Sequence, residues 1–415
     1  MDFIPFLPDS DPEPDTNTEP KEPKRKQAKL TAVTPPVTTT PTNKNSSSKK
    51  RTEANPWNTN SGKKDTQQKR PVDRLQQELT RLYEYLRPTE SEKAGRQQAT
   101  FRVTQAIQRV FPDAQVIPFG SYYMDLYLPS SDIDLVVILN TNQGSSEMSK
   151  EETVNALRRI CKSISKAGIN DRTVPLNLIS KARVPIIKYT DALTGFLVDV
   201  SVNVESGLSG AKMMLQRGLT NGKHPALPIL TVCIKQYLTI RGLNEVFTGG
   251  LGSFSLMCMI LSFLELHPVL QLGLIKEADN IAVLYLDFLE LYGRFFNYDR
   301  VGISVEKVRS GYFDRHEMVK EHPEDWQHIL KQPPNIPHLS VQDPQCPTND
   351  LARGSFQFSA VKQAFEHAFM VLTSRMRDGN DSGELLKGLV WIPEKTLRHR
   401  EYINQTILPS SASHK

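Results

Sequence analysis

Phe119-Gly120-Ser121-Tyr122-Tyr123-Met124-Asp125-Leu126-Tyr127-Leu128-Pro129-Ser130-Ser131-Asp132-Ile133-Asp134-Leu135-Val136-Val137-Ile138 decides the reading of this chain. Ile133, Leu135 and Val137 alternate with Asp132, Asp134 and Val136, which is the period of a strand. Residues i and i+2 of a strand share a face, so Asp132 and Asp134 point the same way. Like charges held that close repel, and a divalent cation relieves them. Upstream, Gln115 to Phe119 reads as a short strand. Gly120 and Ser121 then start a turn and a helix, whose free backbone N–H groups suit a phosphate. Asp-Ile-Asp alone is equally a solvated strand end. The Gly-Ser pair at this spacing makes the pattern specific.

The whole pattern resembles the DNA polymerase β-like nucleotidyltransferase superfamily, whose aspartate pair binds metals and whose serine, here Ser121, contacts a triphosphate. The resemblance requires a third carboxylate on a neighbouring strand. Phe196 to Val204 alternates cleanly and carries one acid, Asp199, among apolar neighbours. The expectation is a site for two divalent ions, Mg or Mn, about 3.5–4 Å apart. Asp132 and Asp134 bridge them, and Asp199 serves the ion beside the incoming 3′-hydroxyl and helps to deprotonate it.

The 415 residues suggest two or three domains, and the formal charge of +5 is compatible with nucleic acid. Cys161, Cys233, Cys258 and Cys346 lie far apart with no C-x-x-C spacing, so neither a zinc signature nor a disulfide framework is expected. No stretch is apolar enough to span a bilayer, and the first residues lack the pattern of a secretory signal. A soluble, intracellular protein with no membrane partner is expected.

Residues 1–72 are rich in Pro, Thr, Ser, Asn and Lys and are expected to be a disordered tail. Met1 to Leu7 form an apolar patch that reads either as a short partner-docking motif or as an inert terminus. Lys21 to Lys29 and Lys49-Lys50-Arg51 resemble nuclear-import signals, which points to the nucleus. Residues 73–95 begin with Leu75, Leu79, Leu82 and Leu86 at helical spacing. They read as an N-terminal helix packed on a central lobe, with a second helix from about Glu90 to Val110. Residues 96–204 read as the catalytic domain, with further strands at Asn177 to Ile179 and Val184 to Lys188. From residue 205 to 376 the pattern is helical, and residues 377–415 read as a flexible tail with a short helix near Leu385. The fold class is α+β, with a mixed-sheet catalytic lobe, a mainly helical central lobe and disordered ends.

The helical half carries a second set of signals. Lys235 lies within an otherwise apolar helix, where it either snorkels or aims its ammonium at a triphosphate. Gly249, Gly250 and Gly252 allow close approach of a ligand, or are plain turn residues. Ser253 sits where it caps a helix and presents a hydroxyl to phosphate. Phe254 offers a ring face to a base, or is ordinary core. Residues 341–353 read as a polar loop.

Together with Phe119 to Val137, three further segments resemble the Trf-type non-canonical poly(A) polymerases, also called polymerase sigma. They are Asn244 to Gly250, Glu290 to Tyr298, and Gln342-Asp343-Pro344 through Asn349-Asp350 to Arg353. The similarity runs from about residue 73 to 376. It implies a template-independent adenylyltransferase that adds AMP from ATP to RNA 3′ ends. Carried over by position, nucleotide contacts fall on Gly120, Ser121, Gly207, Lys235, Ser253, Phe254, Asn349 and Arg353, while Asp343 shapes the base-recognition loop at 341–353. Related uridylyltransferases usually have histidine at the position of Asn349, so asparagine leans towards ATP. Phe254 stands where tyrosine is frequent, Leu351-Ala352 replaces Val-Gly, and Ser206 precedes Gly207 where Asn or Thr is frequent.

No RNA-recognition module is visible in the chain. The resemblance implies that RNA binding is shared with a zinc-knuckle RNA-binding protein and a DExH-box RNA helicase in a TRAMP complex that hands RNA to the nuclear exosome. The rivals are a terminal uridylyltransferase or mixed-nucleotide enzyme, a small-molecule nucleotidyltransferase, and an inactive scaffold recruiting helicase and exosome. The scaffold predicts loss of a motif carboxylate, and all three are present.

Overall fold

A computed structural model of the protein describes residues 56–57, 70–139, 148–182, 184–306, 309–333, 336–378 and 384–407. The apolar patch at Met1 to Leu7 and both basic runs lie outside the described residues. Helix α1 (Pro71–Leu86) starts on a proline at its first turn and buries Leu75, Leu79, Leu82 and Leu86, one stripe of its surface. Each of these leucines contributes about 1.5–3 kcal/mol by leaving water. Helix α2 (Glu90–Gln108) opens with a reciprocal capping box between Thr89 and Glu92.

A five-stranded sheet follows, made of β1 (Gln115–Pro118), β2 (Ile133–Ile138), β3 (Asn177–Ile179), β4 (Ile186–Thr190) and β5 (Leu197–Val202). Its order is β1-β2-β5-β4-β3. The β2–β5 pair is parallel and the others are antiparallel. A single turn, α3 (Gly120–Tyr123), separates β1 from β2, and α4 (Lys150–Ala167) precedes β3. Strand parity then divides the side chains. Ile133, Leu135, Val137, Ile187, Tyr189, Val198, Val200 and Val202 are buried in one core with residues of α2 and α4. Asp134, Lys188 and Asp199, of the opposite parity, face away from that core.

The central lobe contains α5 (Glu205–Met214), α6 (Ala226–Thr239), α7 (Ser253–Leu266), the single turn α8 (Pro268–Gln271) and α9 (Ile281–Glu290). Every residue of α7 from Ser255 to Leu264 is buried, so this helix is the lobe's axis. Helix α1 packs on α6 and α9. The expectation of helix throughout this half is corrected by a second sheet. It comprises β6 (Val301–Val305), β7 (Ser310–Asp314) and β8 (Val341–Gln342), in the order β7-β6-β8. Short helices α10 (Arg315–Glu321) and α11 (Pro323–Trp326) intervene, and α12 (Phe358–Arg377) returns along α9.

The expected flexible tail at 377–415 is also corrected. Leu385, Leu386, Leu389 and Val390 are buried in the central core, as turns and not as the expected short helix. Their entry is pinned by Glu78, which accepts from the backbone N–H of Leu385 (2.9 Å) and Leu386 (2.8 Å). Helix α13 (Glu394–Thr406) then docks on α2 in the other lobe. There Ile403 and Ile407 join the catalytic core, and Arg400 pairs with Glu92 at 2.9 Å. The reason is chemical: this helix is held largely by polar tips, which leave no apolar periodicity. Two smaller corrections follow. The boundary at 95/96 falls inside α2, which belongs with the catalytic lobe. Trp57, within the expected tail, is buried with its ring 6.3 Å from that of Tyr85.

Candidate active site

The sheet register assembles the acids. Asp134 on β2 is the register partner of Asp199 on β5, and Asp199 is the partner of Lys188 on β4. Register partners share a face. These three side chains therefore form a row across three strands, with Asp132 just before β2. The Lys188 ammonium lies 3.0 Å from Asp199 and 3.3 Å from Asp132. Sequence reading missed Lys188, because a lone lysine in an alternating strand looks like an ordinary solvent-facing residue.

The electrostatics describe a crowded negative site. Burial, then the charges of Asp199 and Asp132, push the Asp134 carboxyl up to about 7. Burial also raises Asp199, to about 6, against the opposing pull of Lys188. Asp199 Oδ1 is buried with no hydrogen-bond partner. All the donors are hard oxygens, the kind that Mg and Mn take. The described residues contain no closed set of three acids converging on one point. The Lys188 ammonium sits where such a set would close, and it is itself a cation bridging two of the acids. The residues therefore fit divalent ions, provided that Lys188 yields.

Gly120 is required here on two counts. Its φ of +62° is a conformation that side chains rarely adopt, and a Cβ at this position would stand 2.9 Å from Asp134 Oδ2. The Phe119 N–H donates to the Asp134 carbonyl at 3.0 Å, and the Ser121 side chain is buried beside this turn. The helix expected after Gly120 is only the one turn of α3, so little macrodipole is available to a phosphate. A second residue missed in sequence reading is Arg96 on α2, which is fully buried. It donates to the carbonyls of Ser131 (2.7 Å) and Asp132 (3.3 Å) and lies between the rings of Tyr127 and Phe196. It fixes the backbone from which Asp132 projects, and a single arginine in a polar helix gave no sign of this.

The central lobe supplies the opposite wall. Lys235 on α6 is only 3% exposed, which rules out snorkelling. Burial lowers its ammonium to about 8, while the Asp134 charge works the other way. Ser253 is the first residue of α7 and not its cap, a position filled by Gly252 without a side-chain bond. Phe254 packs over Gly210, where a Cβ would meet its ring at 2.9 Å. Gly249 and Gly250 serve turn geometry: φ is +85° at Gly249, and Gly250 lies against the Leu243 carbonyl. Gly207 lies in the first turn of α5.

The loop 341–353 is held from inside by Asp343, which is 6% exposed. Its carboxylate accepts from Asn349 Nδ2 and from the Gln345 N–H, both at 2.9 Å. The Asn349 amide is thereby oriented, with its nitrogen end on Asp343. Asp350 is buried as well, and it bonds the Val341 N–H and the His328 ring at 3.0 Å. Arg353 is exposed at the loop's end. A cleft of about 650 Å³ opens between α5 and this loop, lined by Ser209, Lys212, Gln216 and Gln345 among others. The more voluminous cleft of about 820 Å³, around Lys223, Glu265 and Tyr312, shares no lining residue with the acids.

Comparison with known proteins bears on this assembly. Residues 75–216 match the family model "Poly(A) RNA polymerase, mitochondrial-like, central palm domain", and residues 280–349 match "Cid1 family poly A polymerase". A poly(A) RNA polymerase of Schizosaccharomyces pombe is 36% identical over 348 residues, covering 80% of this chain and 47% of that protein. A Saccharomyces cerevisiae poly(A) RNA polymerase is 36% identical over 311 residues, covering 75% of this chain and 49% of the relative. The chain thus spans about half the length of these curated relatives. An inactive non-canonical poly(A) RNA polymerase of Drosophila melanogaster is 32% identical over 80% of this chain and 76% of its own length. Among solved structures, the polymerase core of TRAMP, an RNA surveillance complex, superposes with a TM-score of 0.67 at 31% identity, covering 85% of this chain and 99% of that one. By sequence and by architecture, the chain belongs to the non-canonical poly(A) RNA polymerases.

Proposed function

We propose that this chain is a template-independent adenylyltransferase that extends RNA 3′ ends from ATP. The observation that carries the reading is the row Asp134–Asp199–Lys188 with Asp132 beside it. It faces the buried ammonium of Lys235 from the other lobe. Two divalent cations, when bound, supply Lewis-acid polarisation of the attacking and leaving oxygens. Asp132 and Asp134 would hold both ions and Asp199 one of them. The chain's own residues do the rest. Lys235 offsets the phosphate charge in a dry setting, where that charge counts most. The Ser121 and Ser253 hydroxyls would be donors for phosphate oxygens, and the Gly120 turn lets the backbone come close to them. Asp199, on the strand beside Asp134, would hold the ion next to the 3′-hydroxyl and help to deprotonate it. Phe254 offers a face to the base, and Arg353 lies at the rim.

Adenine is favoured by the fixed amide of Asn349. Asparagine carries an amide acceptor that histidine in its usual N–H-donating form lacks, and an acceptor matches the exocyclic amino group of adenine and not the carbonyl at the same place in uracil. The TRAMP likeness and the basic runs of the N-terminal segment support a nuclear surveillance role. In this role a zinc-knuckle RNA-binding protein and a DExH-box helicase supply RNA binding and the exosome receives the product. The inactive Drosophila relative favours a second reading, a scaffold without catalysis. The presence of all three carboxylates weighs against it.

The test is extension of a labelled RNA oligonucleotide with each NTP in turn, with Mg or Mn, with and without a zinc-knuckle partner. Ladders with ATP that vanish in Asp132→Ala/Asp134→Ala establish the enzyme. UTP-dominant ladders overturn the reading of Asn349, and no extension under any condition transfers the weight to the scaffold.

A further inference from the structure

The turn between α6 and α7 is built more rigidly than a connection requires. Val246–Thr248 form one 3-10 turn, closed by Gly249 at φ +85°. The Gly250 N–H donates to the Glu245 carbonyl and the Leu251 N–H to the Leu243 carbonyl, both at 2.8 Å. Val246 is wedged between the two halves of the nucleotide wall. A Cβ on Gly252, next to Ser253, would meet it at 2.9 Å, and one on Gly354, next to Arg353, at 2.7 Å. On the other side, Glu245 is close enough to Asp132, Lys188 and Lys235 to feel their charges. The turn is therefore a lip of the active site, tied to both of its walls.

At the crest of this lip stands Phe247, 91% exposed, more than any other large apolar side chain among the described residues. Phe356, 63% exposed, lies with its ring directly over Gly249. One exposed phenylalanine is unremarkable. One on a backbone-locked lip beside the acids, and a second packed on Gly249 of that lip, leave two apolar rings in water at the edge of the active site. We propose that Phe247, backed by Phe356, is the stacking platform for a base at the 3′ end of the RNA acceptor. This rests on the reading of RNA as the acceptor. Stacking suits an enzyme without a template, because every base has a π-face and the contact is indifferent to sequence. A ring face carries no charge to neutralise a phosphate, so the platform sets position more than salt dependence.

The test compares Phe247→Ala, Phe247→Leu and Phe247→Trp with the wild type. The readouts are extension kinetics with Mg and ATP, and fluorescence anisotropy of a labelled single-stranded oligonucleotide. Alanine should raise the KM for RNA and weaken binding about 5- to 100-fold, the worth of one base stack, with the KM for ATP unchanged. Tryptophan should restore both and leucine should not. An RNA carrying abasic nucleotides at its last two positions should bind wild type and alanine variant alike. Equal RNA affinity for the wild type and Phe247→Ala overturns the proposal, as does full rescue by leucine. A wild type that extends no RNA instead overturns the functional reading, and the anisotropy series still decides whether the ring holds RNA.

Discussion

Replacing Arg400 by methionine tests whether the C-terminal helix is part of the folded enzyme. The side chains of Arg400 and Glu92 are 9% and 3% exposed, with Nε and Oε1 2.9 Å apart. The guanidinium also donates to the carbonyls of Tyr85 at 2.6 Å and Arg87 at 3.0 Å, the link between α1 and α2. Methionine keeps most of the aliphatic packing but strands one buried carboxylate and two carbonyls. Removing one partner of a buried pair costs about 3–5 kcal/mol. Glu92 keeps the Thr89 N–H bond of 2.7 Å, which offsets part of this, so we expect a loss of about 3 kcal/mol. Adding Glu92→Gln removes the stranded charge, and the double variant should be more stable than Arg400→Met alone. Urea unfolding followed by far-UV circular dichroism measures all three variants. A loss below about 1 kcal/mol for Arg400→Met, or simple additivity in the double variant, would refute the docked helix.

Three further outcomes are expected. Asp134 and Asp199 titrate above the ordinary carboxylate value of 3.8, at about 7 and about 6, so the native state holds more protons than the unfolded chain. In EDTA, stability should therefore fall as pH rises from about 4 to about 7, and Asp134→Asn should melt higher than the wild type at pH 8 while losing activity. Equal melting of the two at pH 8 would remove the basis of this account. Lys188→Met should lower metal-free stability by no more than about 1 kcal/mol, since the ammonium is partly exposed, yet tighten Mn binding without nucleotide about tenfold, read by Mn electron paramagnetic resonance. Weaker Mn binding would show that the lysine assists the ion and does not compete with it. Asn349→His should cut the ATP-to-UTP preference at least about tenfold in single-nucleotide extension, because an imidazole N–H donates to the uracil carbonyl. An unchanged ratio would move base choice away from this residue.

What could be read in the sequence was whatever has a short period or a fixed local spacing. Asp134 lies on an alternating strand with Asp132 just before it, the leucines of α1 fall on one stripe, and the segment holding Asp343 and Asn349 is contiguous. Each is carried by neighbours in the chain. The unread parts depend on partners far away. Lys188 matters because β4 lies beside β5, and nothing within β4 states that. Strand β8 has two residues and gains meaning only from β6, some forty positions earlier. In α13 an arginine and a histidine share the anchoring with Ile403, with His399 bonded to the Thr194 carbonyl at 2.7 Å, so one isoleucine gives too little apolar rhythm to advertise it. Arg96 was invisible for the same reason, since its partners are backbone carbonyls, which carry no sequence signature.

The docked C-terminal helix has a mechanical consequence. The backbone passes between the lobes at Arg87–Thr89, again at Val202–Glu205, and a third time between Val390 and Glu394. Two bodies joined by one peptide link can gape widely, whereas a threefold tether makes them resist separation. Widening the slot between Asp134 and Lys235 must bend all three crossings at once. Electron-spin distances between labels on α4 and α12 should accordingly change by no more than a few ångströms when nucleotide and RNA bind.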